Sequence, residues 1–137
     1  PYCAQLWYQR HFNLPAGGGR GGQAPRTEAN CRVERNPAKT WPALTWDGMY
    51  RTPAVNGTTF SDVSLYMYMN QAERPLAPTR GHLMDHIGLR VGDLDAWLTK
   101  LAGEGVTVLE RPYAVGPYRA AMIEGPSREA IELIEVH

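Results

Sequence analysis

The sequence predicts an α+β fold built from paired βαβββ units, the first of them lacking its opening strand. Three observations carry this expectation. From His86 onward, the apolar pattern runs strand, helix, strand, strand, strand. Residues 62–70, DVSLYMYMN, alternate strictly between apolar and polar, as a half-buried strand requires. The two halves also align as a degenerate repeat with a period of about 70 residues, in which Trp7 matches Trp97 and Val63 to Leu65 match Ile131 to Leu133.

The opening PYCAQLWYQRHF reads as a short helix, with proline near its first turn and Leu6, Trp7 and Phe12 as an apolar set. Asn13 and Pro15 stop it. The stretch PAGGGRGGQAP has five glycines between Gly17 and Gly22, so it gains little by ordering and reads as a mobile loop. It has neither the dinucleotide pattern nor the lysine-tipped phosphate loop. ANCRVER and PALTWDGMY are strand candidates, kept apart by the prolines of NPAKTWP. In DVSLYMYMN, Val63, Leu65, Met67 and Met69 face a core, while Ser64, Tyr66 and Tyr68 face the other way. QAERPLAPTRG breaks both periods and reads as a linker. One domain of 137 residues is expected, with unit 1 at about 1–70, a linker at 71–82 and unit 2 at about 83–137.

In the second unit His86, Gly88 and Arg90 share one face of a strand whose other face carries Ile87, Leu89 and Val91. Asp93 caps a helix with Leu94, Trp97, Leu98 and Leu101 in one apolar stripe, and Gly103 or Gly105 ends it. VTVLE, YRAAMIE and AIELIEV follow as strands, joined by a loop RPYAVGP and a turn GPSRE.

Composition narrows the function classes. The net charge is zero, with nine Arg/Lys against five Asp/Glu up to His82 and five against nine beyond it. Neither half has the basic stripe of a nucleic-acid binder, and no apolar run approaches the roughly 18 residues of a membrane span. Cys3 and Cys31 form no metal spacing; free thiols in a reducing, cytoplasmic setting are the expectation, with a single disulfide as the alternative.

DHIGLRV at the start of the second unit and IEGPSREAIELIEV at its end resemble the glyoxalase/bleomycin-resistance/dioxygenase superfamily, also called vicinal oxygen chelate. The resemblance is specific from about Arg80 onward, and AQLWYQRHF looks like the family's first helix. It implies that each unit curls into half of a cup around a divalent metal, with ligands from the first and last strands of each unit. His86 then matches the first-strand histidine of unit 2 and Glu132 its last-strand glutamate, the latter also a proton shuttle. Nitrogen and carboxylate oxygen suit Fe, Zn, Ni or Mn better than calcium.

In unit 1 the matching histidine belongs ahead of Pro1, and the last-strand position falls on Ser64, a poor ligand. Water, substrate or a dimer partner would have to complete a site of two donors. Tyr66 and Tyr68, with Ser64, could stack on or hydrogen-bond a ligand. Arg90 and Arg119 could bind an anion, and Tyr113, in the loop RPYAVGP, could lip the pocket. The implied activity is metal-dependent lyase, isomerase or dioxygenase chemistry on a small oxygenated substrate. The alternative is a metal-free drug-binding protein of the bleomycin-resistance type. A homodimer is expected in either case.

Overall fold

The structure, a computed structural model, describes residues 2–15, 26–32, 55–61, 63–67 and 75–136. The chain divides into two compact units, Pro1–Pro75 and Leu76–His137. The glycine-rich stretch from Gly17, the segments NPAKTWP and PALTWDGMY, and Tyr68 and Met69 lie outside the described residues.

The first unit contains helix α1 (Tyr2–His11) and the antiparallel strands β1 (Val55–Phe60) and β2 (Val63–Met67). Asn13 ends the helix in the left-handed region at φ 53°, a conformation asparagine tolerates. The buried helix residues are Gln5, Tyr8 and His11, with Phe12 just beyond, rather than the expected Leu6 and Trp7. Their spacing of three to four follows one helix face, and on it the rings of Tyr8 and Phe12 meet Phe60 edge-on at 6.0 and 5.6 Å. Strand β1 escaped the sequence reading, and it pairs along β2 from Val55↔Met67 to Phe60↔Val63. Leu65 and Met67 are half-buried and Ser64 and Tyr66 exposed, as alternation requires, but Val63 is exposed too.

Two expectations for this unit are corrected. Ala29 and Asn30, which open the first strand candidate, belong to a turn over residues 28–30, in which Asn30 Oδ1 accepts from Thr27 N at 2.7 Å; its residues beyond Arg32 are not described. Cys3 and Cys31 are joined in a disulfide with Cα atoms 4.9 Å apart, so the expected free thiols are absent. The turn sets Cys31 against the first turn of α1, and Arg10 pairs with Glu28 beside it.

The second unit is a complete βαβββ unit: β3 (His86–Val91), α2 (Leu94–Gly103), β4 (Val108–Val115), β5 (Tyr118–Glu124) and β6 (Ala130–Glu135). The sheet order is β3-β6-β5-β4, with β6 parallel to β3 and antiparallel to β5. The last strand is therefore interior. That is why Ala130, Ile131 and Leu133 are fully buried although glutamates interrupt the run.

Helix α2 lies on the face bearing Ile123, Ile131 and Leu133, with Leu94 and Leu101 fully buried. Each such side chain contributes about 1.5–3 kcal/mol by leaving water. Asp93 caps the helix by accepting from Ala96 N at 2.8 Å. At the other end Gly105 N bonds to Ala102 O and Val106 N to Leu101 O, with Gly105 at φ +80°. This is a Schellman closure, and the buried Val106 and Leu101 are its apolar contact.

The helix is also tied electrostatically. Glu135, buried on the same face, accepts from the Leu94 amide at 2.9 Å, at the positive end of the helix dipole. Arg119 on β5 spans Glu135 and Asp95. Its guanidinium hydrogen bond and charge hold the Asp95 carboxyl below its ordinary 3.8.

Two outcomes follow from this architecture. Replacing Cys3 and Cys31 with serine frees a 28-residue separation, and chain-entropy accounting puts the loss at about 3–4 kcal/mol. Guanidinium unfolding of the first unit, followed by its tyrosine and tryptophan signals, should show a lowered midpoint. The Asp95–Arg119 pair stabilises fully above pH 3.8, and its contribution fades as pH falls through the depressed folded value. Asp95→Asn should therefore flatten the acid limb of the stability curve in that range and leave the slope near neutral pH unchanged.

Candidate functional site

The parallel register of β3 and β6 sets Gly88 beside Glu132, and His86 beside Ala130, on the face opposite helix α2. Glu132 and Glu135 stand three positions apart on one strand. An odd offset sends their side chains to opposite faces, one to the helix and one to this site. With glycine as its direct neighbour, Glu132 reaches diagonally to His86, and its Oε2 lies 3.4 Å from His86 Nε2. The glutamate side chain is 11% exposed and the imidazole 38%, so a nearly buried carboxylate faces a ring open to solvent.

The second oxygen of Glu132 is engaged from β4. Tyr113 Oη donates to Glu132 Oε1 at 2.6 Å across β5. Burial first, then the hydrogen bond to Glu132, pushes the Tyr113 phenol far above its ordinary 10, so this hydroxyl is a fixed donor. The signals of RPYAVGP predict a loop at Tyr113; it is instead the sixth residue of a strand that runs on to Val115 before turning at Gly116. Pro112 does not interrupt this strand because β4 lies at the sheet edge and its pairing with β5 shifts register between Glu110 and Tyr113.

The other imidazole nitrogen, Nδ1, is 3.0 Å from Asp85 Oδ2. Asp85 also accepts from Gly81 N at 2.6 Å, and that backbone bond, then the histidine, holds its carboxyl below the ordinary value. Arg80 completes the cluster: Nε lies 3.4 Å from Asp85 Oδ2, Nη2 lies 2.7 Å from Glu110 Oε1, and Nη1 reaches the Met122 sulfur. Met122 pairs with Glu132 across the sheet and Glu110 with Met122, so these three share one face, and Arg80 reaches it from the loop before β3. Asp85 and Arg80 were not singled out from the sequence. The aspartate directly before His86 was the available signal.

Other expected residues are placed differently. Arg90 is exposed on the His86 face, two positions beyond Gly88. Arg119 is not brought to the cluster; it stands on the helix face with Asp95 and Glu135, because it is one residue out of phase with Ala120 and Met122. Ser64 and Tyr66 are exposed on β2, where the Ser64 hydroxyl is 3.0 Å from that of Thr59. Tyr68 lies outside the described residues.

A divalent ion can be tested against these donors. An imidazole nitrogen and a carboxylate oxygen 3.4 Å apart have the spacing of neighbouring ligands on one ion with bonds of about 2.1 Å. The supporting contacts, Asp85 on the far ring nitrogen and Tyr113 on the far oxygen, are of the kind that orient metal ligands. The pair therefore fits as two ligands. Among the described residues no group of three or more His, Cys, Asp or Glu is arranged to hold an ion.

No protein-family model matches the sequence, and neither does any curated protein. Among solved structures, a hypothetical protein from S. aureus is similar over 99% of this chain and 88% of its own, at 12% identity and a TM-score of 0.52, a likeness of fold. A member of the Glyoxalase/bleomycin resistance protein/dioxygenase superfamily from Sphaerobacter thermophilus is 27% identical, with a TM-score of 0.35. That match covers 36% of this chain and 41% of the other, so the chain spans less than half of that protein.

Removing the phenol hydroxyl tests the cluster. Tyr113→Phe leaves a nearly buried carboxylate without its donor and should cost about 1.5–3 kcal/mol in urea unfolding. In a spectrophotometric titration of the folded protein, the parent should show a phenol that ionises well above the ordinary 10, and the same variant should lack it.

Proposed function

We propose that the chain is a metal-dependent enzyme of the glyoxalase/bleomycin-resistance/dioxygenase superfamily, acting on a small oxygenated substrate that chelates a divalent ion. The observation carrying this reading is the 3.4 Å approach of His86 Nε2 and Glu132 Oε2 on one face of a βαβββ unit. It is supported by the sequence resemblance of DHIGLRV and IEGPSREAIELIEV.

In this reading His86 and Glu132 hold the ion, which is Fe, Zn, Ni or Mn by the chemistry of the donors. When bound, such an ion supplies Lewis acidity to a substrate oxygen. The chain's own residues do the rest. Tyr113 fixes Oε1 of Glu132 and leaves Oε2, the atom beside His86 Nε2, available either to the ion or, when released from it, to a substrate proton. Arg90, exposed on the same face, offers a planar fork for a substrate anion.

A second reading, a metal-free drug-binding protein, draws on one observation. Ser64, which the internal repeat matches to the glutamate region of β6, is a hydroxyl hydrogen-bonded to Thr59 and not a carboxylate.

Calorimetric titration of chelator-treated protein with Zn2+, Mn2+ and Ni2+, and with Fe2+ under anaerobic conditions, separates the two. The enzyme reading expects about one ion per chain, with affinity lost by at least about tenfold in His86→Ala and in Glu132→Ala. Absence of binding to the parent protein would reject it, and saturable quenching of its fluorescence by a drug panel would then favour the second reading.

A further inference from the structure

We propose that the Cys3–Cys31 disulfide is a modification site for small aliphatic thiols, reached through a cavity that helix α1 shares with the turn at residues 28–30. The helix uses two faces. Gln5, Tyr8 and Phe12 go to the core, whereas Cys3, Leu6, Trp7 and Arg10 follow at intervals of three, one and three positions and make a second stripe. Leu6 and Trp7 are half-buried on it, although both are apolar. What they line is a cavity of about 350 Å³, whose wall also includes Thr27, Glu28 and both cysteines. That size falls at the lower end of the roughly 300–1,000 Å³ of small-molecule sites.

A disulfide sealed in a core meets a thiol only when the fold opens, whereas one in a cavity wall meets it in the native state. Cys3 is the residue within reach: it is half-buried, while Cys31 is 5% exposed. The incoming thiolate bonds to Cys3 Sγ, and the bond between the two cysteines breaks. Its electron pair leaves with Cys31 Sγ, which takes up the proton that the incoming thiol gave up. The incoming sulfur is oxidised, Cys31 is reduced, and no further oxidant is consumed. As a thiol Cys31 has an acceptor in place, because its sulfur lies 3.6 Å from the Glu28 carbonyl oxygen. The carbon stem of the adduct on Cys3 then lies against Leu6 and the Trp7 indole, withdrawing apolar surface from water. Exchange also removes the covalent hold of α1 on residues 26–32. Among the contacts left there are the Arg10–Glu28 pair, with side chains 61% and 80% exposed, and Arg26 over the Tyr2 ring at 4.3 Å, each of them weak.

The site stands apart from His86 and Glu132, and its test needs no metal. The full chain with its disulfide intact is mixed with L-cysteine at mildly alkaline pH across a urea series. Samples are quenched in acid over time, free thiols are alkylated, and the peptides are mapped by mass spectrometry. The expected first product carries the added cysteine on Cys3 and the alkyl label on Cys31, and its rate of formation is flat in urea below the unfolding transition. Leu6→Trp, which fills the cavity from its own wall, should slow this native-state exchange by about tenfold or more and leave the rate in fully denaturing urea at the parent's value. No adduct on the folded protein, an adduct chiefly on Cys31, a rate that climbs with the unfolded population at low urea, or a folded Leu6→Trp that reacts as fast as the parent would each overturn the proposal. The parent's urea profile and the position of its adduct decide the matter even where Leu6→Trp fails to fold.

Discussion

The arrangement depends on the final strand being inserted between β3 and β5. A strand at that position has a partner on each edge, and here residues on both of its faces are buried, Ile131, Leu133 and Glu135 on one and Ala130 and Glu132 on the other. Burial of a carboxylate is costly unless it is paired. Strand β6 carries two, and each is answered on its own face: Glu135 by the amide of Leu94 and by Arg119, Glu132 by Tyr113 and His86. One strand thus docks the helix with one glutamate and builds the candidate site with the other.

The same constraint explains why the site is rigid on one side and open on the other. Glu132 is set among Met122, Tyr113 and Gly88, all on strands. His86 begins its strand, and its ring reaches solvent beside a loop closed by side-chain bonds rather than a ladder. A site with a fixed carboxylate and a solvent-facing imidazole can take a ligand from the open side without rearranging its core.

Much of the second unit was legible because its periods are clean. The stripe of Leu94, Trp97, Leu98 and Leu101 gave the helix, and alternation in HIGLRV and AIELIEV gave the shared face of His86 and Glu132. The failures have physical causes. In YRAAMIE both faces are apolar or mixed, so alternation cannot tell which face Arg119 takes. Pro112 and Gly116 bracket Tyr113 with loop signals, yet an edge strand accommodates proline. Arg80 and Asp85 act through a loop whose order comes from side-chain bonds, which leave no periodic trace. The disulfide joins cysteines 28 residues apart, a pairing that no local pattern announces. Strand β1 contains Asn56 and Gly57, which read locally as a turn.

The candidate site exists only if β3 and β6 are parallel in this register, which cross-strand nuclear Overhauser effects measure directly. Contacts linking Gly88 with Glu132 and Leu89 with Leu133, alongside Ala121 with Leu133 across β5, are the predicted pattern. A register displaced by one residue, which would turn Glu132 to the helix face, or pairing of β6 with β5 alone, would contradict it.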